Sequence, residues 1–307
     1  MGRYVVRRLL QMIPVFVGST LLIFLMVNVM GDPIAGLCGE RACDPATAAQ
    51  LRKEFGLDKP VFPQRYLTYM GHVFTGDFGT AFNGQKVTEL MATAFPVTIR
   101  LTIVAILFEI VVGITLGVVT GLRRGRPVDT SVLLLTLVVI SVPTFVTGLL
   151  LQLLLGLKWH WISPSVHNGT FDELLVPGLV LASVSLAYVT RLTRTSIAEN
   201  KHSDYVRTAV AKGLPRRRVV VRHLLRNSLI PVVTFIGFDI GALMGGAIVT
   251  ERIFNIHGVG YQLYQGILRH NTQTVVGFVT VLVLVFLVAN LLVDLLYAVL
   301  DPRIRYA

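Results

Sequence analysis

Residues Asp204–Pro231 read DYVRTAVAKGLPRRRVVVRHLLRNSLIP, the longest strongly charged stretch in an otherwise apolar chain. One acid, Asp204, stands against Arg207, Lys212, Arg216, Arg217, Arg218, Arg222 and Arg226, with Lys201 just upstream. The pattern predicts two short helices. Gly213 can end the first, because glycine accepts the left-handed conformation at a helix C-terminus. Pro215 can open the second, because the first helical position needs no N–H donor. Long apolar runs flank the stretch on both sides. A helix-break-helix element between two membrane-spanning runs suits docking to a cytoplasmic surface. The plainer alternative is a basic loop lying on anionic lipid. The ordered punctuation of Gly213, Pro215 and Pro231 favours docking.

Outward from this stretch, the composition fixes the class. The chain has 307 residues, 53% hydrophobic and 15% charged, with a mean hydropathy of +0.69. That balance does not describe a soluble globular protein. The net charge of +11 is gathered at the ends of apolar runs. A nucleic-acid binder would also be basic, but it would not carry six apolar runs of spanning length.

The spans follow by hydropathy. MGRYVVRR precedes an uncharged run from Leu9 to Met30, too long for a signal peptide, which predicts an uncleaved first span over residues 1–30. Residues 31–96 read as an extracytoplasmic loop, with a short helix from Pro45 to Phe55 capped by Asp44. Residues 97–307 read as a core with five further spans: Val97–Leu122, Ser131–Leu157, Leu174–Arg191, Leu229–Ile253 and Val275–Leu300. The fourth carries Ser183, Ser185, Tyr188 and Thr190, so it belongs among other helices rather than in lipid. Arg3, Arg7 and Arg8, then Arg123, Arg124 and Arg126, then the Arg191–Arg226 region, then Arg303 and Arg305 all fall on one side of a six-span chain. The positive-inside rule therefore puts both termini in the cytoplasm. Cys38 and Cys43 fall in the outer loop, where disulfides persist, and are expected to bond to each other.

The sequence holds no GxxxxGK[ST] phosphate loop, HExxH, metal-spaced Cys/His set or GxSxG elbow. ATP hydrolysis by this chain is excluded, and no catalytic residue or metal site is expected. Three acids lie inside spans: Glu109, Asp239 and Asp294. Each costs roughly 2.5–3.5 kcal/mol at a span centre, so each should face a partner or water. Asp239, in GFDIGALMGG, either lines a passage and attracts an ammonium group or is a buried acid paired to an arginine or hydroxyl. Gly237, Gly241, Gly245 and Gly246 would let another helix or a permeant approach it. Glu109 and Asp294 are expected in structural roles. Pro143 should kink the third span, as a packing feature or a gate hinge.

The wording resembles the permeases of binding-protein-dependent ABC importers, in their dipeptide/oligopeptide branch. Ala209, Gly213 and Pro231 match the family's Glu-Ala-Ala…Gly…Leu-Pro pattern, with Arg207 at the motif's acidic position. RYVVRRLLQMIPV…GDP, GLDKPVFPQRY…GDFG, RHLLRNSLIPV and the DPRIRY end resemble the same branch. The resemblance implies an all-α type I importer permease fold, with residues 196–226 as the coupling loop that seats on an ATPase subunit. Asp204, Arg207, Ala209, Lys212, Gly213 and Pro215 would serve that contact. ERIFNIHGVGY resembles the family's loop after the fifth span, which in some importers reaches into the docked binding protein. Glu251, His257, Gly258, Val259, Gly260 and Tyr261 would form this probe, with Gly258 and Gly260 making a tight turn at its tip. Glu109, Pro143 and Asp239 would belong to the translocation pathway.

The implied partners are a homologous second permease, two cytoplasmic ATPases that hold ATP and Mg, an extracytoplasmic peptide-binding protein and membrane lipid, with no nucleic acid. The implied place is the bacterial cytoplasmic membrane, and the implied cargo is dipeptides or short oligopeptides. Relatives with similar wording carry glutathione, haem or nickel. A stand-alone secondary transporter is the competing class, against which the chain shows no convincing inverted repeat.

Overall fold

The computed structural model describes residues 2–29, 44–54, 58–81 and 84–300. Cys38, Cys43 and their expected bond lie outside the described residues, as does the DPRIRY end. Among the described residues all regular structure is helical, apart from one isolated bridge between Thr80 and Lys86. In chain order the helices are α1 (Gly2–Val29), α2 (Pro45–Glu54), α3 (Tyr66–Phe74), α4 (Val87–Phe108), α5 (Ile114–Leu122), α6 (Pro127–Ser141) and α7 (Thr144–Leu151). They continue with α8 (Leu175–Asn200), α9 (Asp204–Ala211), α10 (Arg216–Arg218), α11 (Leu225–Ser228), α12 (Ile230–Ile253), α13 (Val259–Leu268) and α14 (Thr272–Leu300).

Five helical segments are long and apolar enough to cross a membrane. A sixth span is present if Pro127–Ser141 and Thr144–Lys158, bent by 99°, count as one. The expected kink at Pro143 is thus a full change of direction. Val142 and Pro143 are both extended, at ψ 123° and 138°. Proline has no N–H to continue the helical ladder and pushes the residue before it out of the α region.

The chain divides into two units, Met1–Thr98 with Asn255–Leu291, and Ile99–Phe254 with Leu292–Ala307. In the first, Phe24, Tyr66, Met70 and Val276 form a buried cluster. Hydroxyl pairs tie it together: Thr20 with Tyr66 at 2.9 Å, and Tyr69 with Thr280 at 2.8 Å. Helix α4 begins at Val87, ten residues before the apolar run suggested. Thr88, Glu89 and Thr93 dilute the hydropathy there, but Val87, Met91 and Ala94 keep a buried face at helical spacing.

The second unit is built on α8. Val180, Leu181, Ala182, Ala187 and Val189 are buried along it, and so are Thr190 and Thr193, as its polar content required. Its closest neighbour is α5, and glycines set the approach. A Cβ on Gly113 would stand 2.9 Å from a methyl of Val189, and one on Gly121 2.7 Å from Cβ of Ile197. One on Gly117 would strike Thr193 and come within 2.7 Å of the Thr190 carbonyl. Three side-chain-free positions four residues apart thus receive Val189, Thr193 and Ile197, also four apart. This is the small-residue packing that brings membrane helices together.

In α12 the expected close approach is seen at Gly237, where a Cβ would strike Val293. Gly245 has nothing within 4 Å, and at Gly246 the nearest atom, of Leu181, is 3.7 Å away.

Candidate functional sites: a basic platform and an acidic recess

The basic stretch folds as an anchored platform. α8 runs on to Asn200, and its last turn grips the start of the platform. Ser203 Oγ donates to the Asn200 carbonyl at 2.6 Å, and Tyr205 Oη donates to Asn200 Oδ1 at 2.8 Å. Lys201 Nζ donates to the Leu122 carbonyl at 3.2 Å, which ties the loop to the end of α5. Val206, Ala209, Val219 and Leu224 pack on Ile197, with Val118 and Leu122 around them. Ser196 Oγ donates to the Ser228 carbonyl at 2.8 Å, fixing α11 against α8.

Gly213 has φ +73° and ends the first short helix as the sequence predicts. Pro215 is extended and stands just before the helical Arg216, so the second helix opens one residue later than expected. A wide turn, Val219–Leu224, carries it on into α11. The outward face consists of Asp204, Arg207, Val210, Lys212, Gly213, Pro215 and Arg216–Arg218, all exposed. Val210 is 60% exposed, an apolar residue set among cations. Of the residues expected in the coupling contact, Ala209 alone points inward. It is 4% exposed and seats α9 on the Ile197 cluster.

An ion pair joins α8 to the turn between α5 and α6. Arg194 grips Asp129 with two bonds, Nε to Oδ1 at 2.5 Å and Nη2 to Oδ2 at 2.7 Å, while the Gly125 N–H donates to Oδ2 at 2.9 Å. This pair holds the α5–α6 turn against α8. No local pattern signalled it, because the two residues lie 65 apart in sequence.

Asp239 lines a recess of about 340 Å³ in the second unit, whose wall includes Thr144, Phe145, Leu181, Ser185 and Gly246. Thr144 and Phe145 directly follow the break at Pro143. Glu109 opens a wide π turn, Glu109–Gly113, between α4 and α5. Such one-turn insertions re-aim side chains and recur at functional sites. The Glu109 carboxyl is wholly buried, and neither oxygen meets hydrogen-bond geometry with any group. The polar groups that face it are Asp239 and Ser185, both in the recess wall. Asp239 Oδ2 is likewise buried without a hydrogen bond. Of the three residues expected on the pathway, Asp239 lines the recess together with Ser185, Pro143 precedes the wall residue Thr144, and the wholly buried Glu109 is not part of the wall. The paired-acid alternative for Asp239 takes an unforeseen form, with an acid opposite it.

The expected probe loop is less prominent than its sequence implied. In the second unit, Glu251 is wholly buried. In the first, Val259, Gly258 and Gly260 are buried, while His257 is exposed and meets Tyr261 edge-on at 4.6 Å. Gly258 has φ −100° and Gly260 is helical, so neither makes the tight turn. The left-handed turn residue is Asn255, at φ +53°. The Val259 N–H donates to Thr98 Oγ1 at 2.8 Å and pins the start of α13. Among the described residues no group of three or more His, Cys, Asp or Glu side chains is placed to hold a metal.

Two families cover this architecture. "Binding-protein-dependent transport system inner membrane component" matches residues 113–306, which contain the platform, Asp239 and the broken span. The N-terminal component of such systems matches residues 1–102. The chain belongs to this permease family. It is accordingly a multi-pass inner-membrane transport component with the type I importer permease fold. The dipeptide transport system permease protein DppB of Escherichia coli K12 is 37% identical, over all of this chain and 99% of its own. A di/tripeptide permease, DppB of Pseudomonas aeruginosa, is 36% identical over 99% of this chain and 98% of its own. The glutathione permease GsiC of Salmonella typhi is 36% identical over the full length of both chains.

Proposed function

We propose that this permease is one of two membrane subunits of an ATP-driven importer for dipeptides or short oligopeptides. End-to-end similarity to dipeptide and di/tripeptide permeases carries the substrate class. ATP is bound, with Mg, and hydrolysed on two separate cytoplasmic ATPases. An extracytoplasmic peptide-binding protein delivers the cargo, and both termini of this chain face the cytoplasm. The second, homologous permease completes the passage.

The platform transmits the ATPase motion. Its exposed cations and Val210 offer a mixed charged and apolar surface on a base held by Ile197, Asn200 and Lys201. His257 and Tyr261 are the parts of the expected probe available to a docked binding protein. Glutathione is the second reading for the cargo, since it is itself a short peptide and a glutathione permease matches over full length. Nickel and haem remain the more distant cargoes of the family reading.

The test is purification from native membranes in mild detergent, followed by reconstitution and uptake of labelled Ala-Ala and glutathione. Recovery with a second permease and two ATPases, and ATP-dependent Ala-Ala uptake, is the expected result. Recovery of the chain alone, with uptake driven by an ion gradient, would move the protein to the secondary transporters.

A further inference from the structure

The recess that Asp239 lines lies where three helices of the second unit meet. α8 gives Leu181 and Ser185, and α12 gives Leu243, Gly246 and Val249 beside Asp239. Thr144 and Phe145 reach the wall from the first turn of α7, directly after the 99° break, and Phe145 is 51% exposed. On the next turn of α7 the same three helices close up. A Cβ on Gly148 would stand 3.0 Å from a methyl of Ile253 and 3.3 Å from one of Val180. At Gly246 the nearest atom to such a Cβ is 3.7 Å away and belongs to Leu181, itself in the wall. The recess is thus a local widening between helices that pack tightly beside it, and a glycine keeps one wall of it bare.

Its chemistry narrows the occupant. Ser185 and Asp239 stand roughly 15 Å along α8 and α12 from the helix starts, well inside both spans. A carboxyl at that depth faces the interior of a bundle or a watery cavity, not acyl chains. Lipid therefore does not suit this wall. The remainder of the wall is mostly apolar, from Phe145, Leu181, Ala242, Leu243 and Val249. An apolar lining with a few polar groups that set orientation is the composition of a small-molecule site. The volume of about 340 Å³ lies at the small end of the range for such sites. It suits one large side chain with its adjoining backbone. An extended peptide presents that combination, an apolar side chain flanked by amide groups that Thr144 and Ser185 can meet.

We propose that this recess is a side-chain subsite of the permease. It takes an apolar or aromatic side chain of the peptide in passage, and Phe145 and Gly246 set its size. The subsite rests on the peptide-import reading above and adds selection by the membrane subunit to whatever the binding protein selects.

The experiment measures uptake of labelled Leu-Leu and Gly-Gly by the complete reconstituted importer. Gly246→Leu fills the recess, and Gly246→Ala fills it slightly. Each variant is first checked for co-purification of the second permease. Gly246→Leu should lower Leu-Leu uptake roughly tenfold and leave Gly-Gly unchanged, the scale of one leucine side chain deprived of apolar contact. Gly246→Ala should fall between. Adding Phe145→Ala to Gly246→Leu returns volume to the recess and should restore part of the Leu-Leu uptake, which a merely structural role for Gly246 would not produce. An equal fall for both peptides, or no fall for either, overturns the subsite. Loss of the second permease from Gly246→Leu also overturns it, because the partner's side chains would then occupy the recess. A wild type that imports neither peptide removes the peptide-import reading and the subsite with it. A wild type that imports both, with variants that do not discriminate, removes the subsite alone.

Discussion

Arg194 and Asp129 are joined by two parallel hydrogen bonds, at 2.5 and 2.7 Å, with the Asp129 side chain only 3% exposed. The fork geometry is one that arginine makes and lysine does not. Removing Asp129 takes charge-assisted hydrogen bonds from an Arg194 that is itself partly exposed, at a cost of about 1.5–3 kcal/mol. Asp129→Ala should therefore lower the Tm in detergent sharply. Arg194→Lys should recover only part of the loss. A thermal-unfolding series of the two variants checks this, and an unchanged Tm in Asp129→Ala would show that the pair contributes nothing.

Glycine spacing along α5 gives a second outcome. Gly117 lies against Thr193 and the Thr190 carbonyl, whereas Gly245 on α12 has open space. Gly117→Ala should destabilise by about 1–3 kcal/mol, the usual cost of overpacking. Gly245→Ala should be neutral or slightly stabilising, since alanine favours helix over glycine by about 1 kcal/mol. Fluorescence-detected size-exclusion after heating ranks the two, and equal loss would mean that α5 and α8 can separate at no cost.

On the platform, direction decides the phenotype. Arg207→Glu and Val210→Asp change exposed side chains and should abolish ATPase recovery on co-purification while leaving the Tm of the permease unchanged. Ala209→Leu instead forces volume into the Ile197 cluster and should lower both. A Val210→Asp protein that still brings its ATPases along would place the docking face elsewhere.

At the start of α13, the hydrogen bond from Val259 to Thr98 can be removed with little change of shape. Thr98→Val leaves a buried N–H without that acceptor, a loss of about 1–3 kcal/mol. Hydrogen exchange at Val259 and its helical neighbours should accelerate, while exchange in α8 stays slow. Unchanged exchange at Val259 would mean that the bond does not govern opening there.

Much of this was legible in the sequence. Mean hydropathy found the spans, and the hydroxyls of the fourth announced that it is enclosed by other helices. Gly213 marked the end of the first platform helix, because only a left-handed residue closes a helix so abruptly. Helix α4 was read short because an average over residues hides a periodic face carried by Val87, Met91 and Ala94. The stripe Gly113, Gly117 and Gly121 was present in the letters and its spacing of four would have announced it. What those glycines receive, and what Glu109 and Arg194 face, lies far away in sequence. Tertiary contacts of that kind leave no local trace. The glycines of the ERIFNIHGVGY loop were misassigned for a simpler reason. Glycine is permitted in a left-handed turn but not obliged to make one, and Asn255 took that position instead.

The packing of α5 on α8 has a mechanical meaning. Where glycine meets side chain there are no rotamers to yield on one surface, so the two helices have little slack between them. α8 carries Leu181 and Ser185 at the recess and Ile197 under the platform, and Ser185 and Ile197 are about 18 Å apart at the rise of an α-helix. The unit therefore acts as a stiff lever rather than a cushion. One continuous helix thus joins the packing beneath the basic face to the wall of the recess.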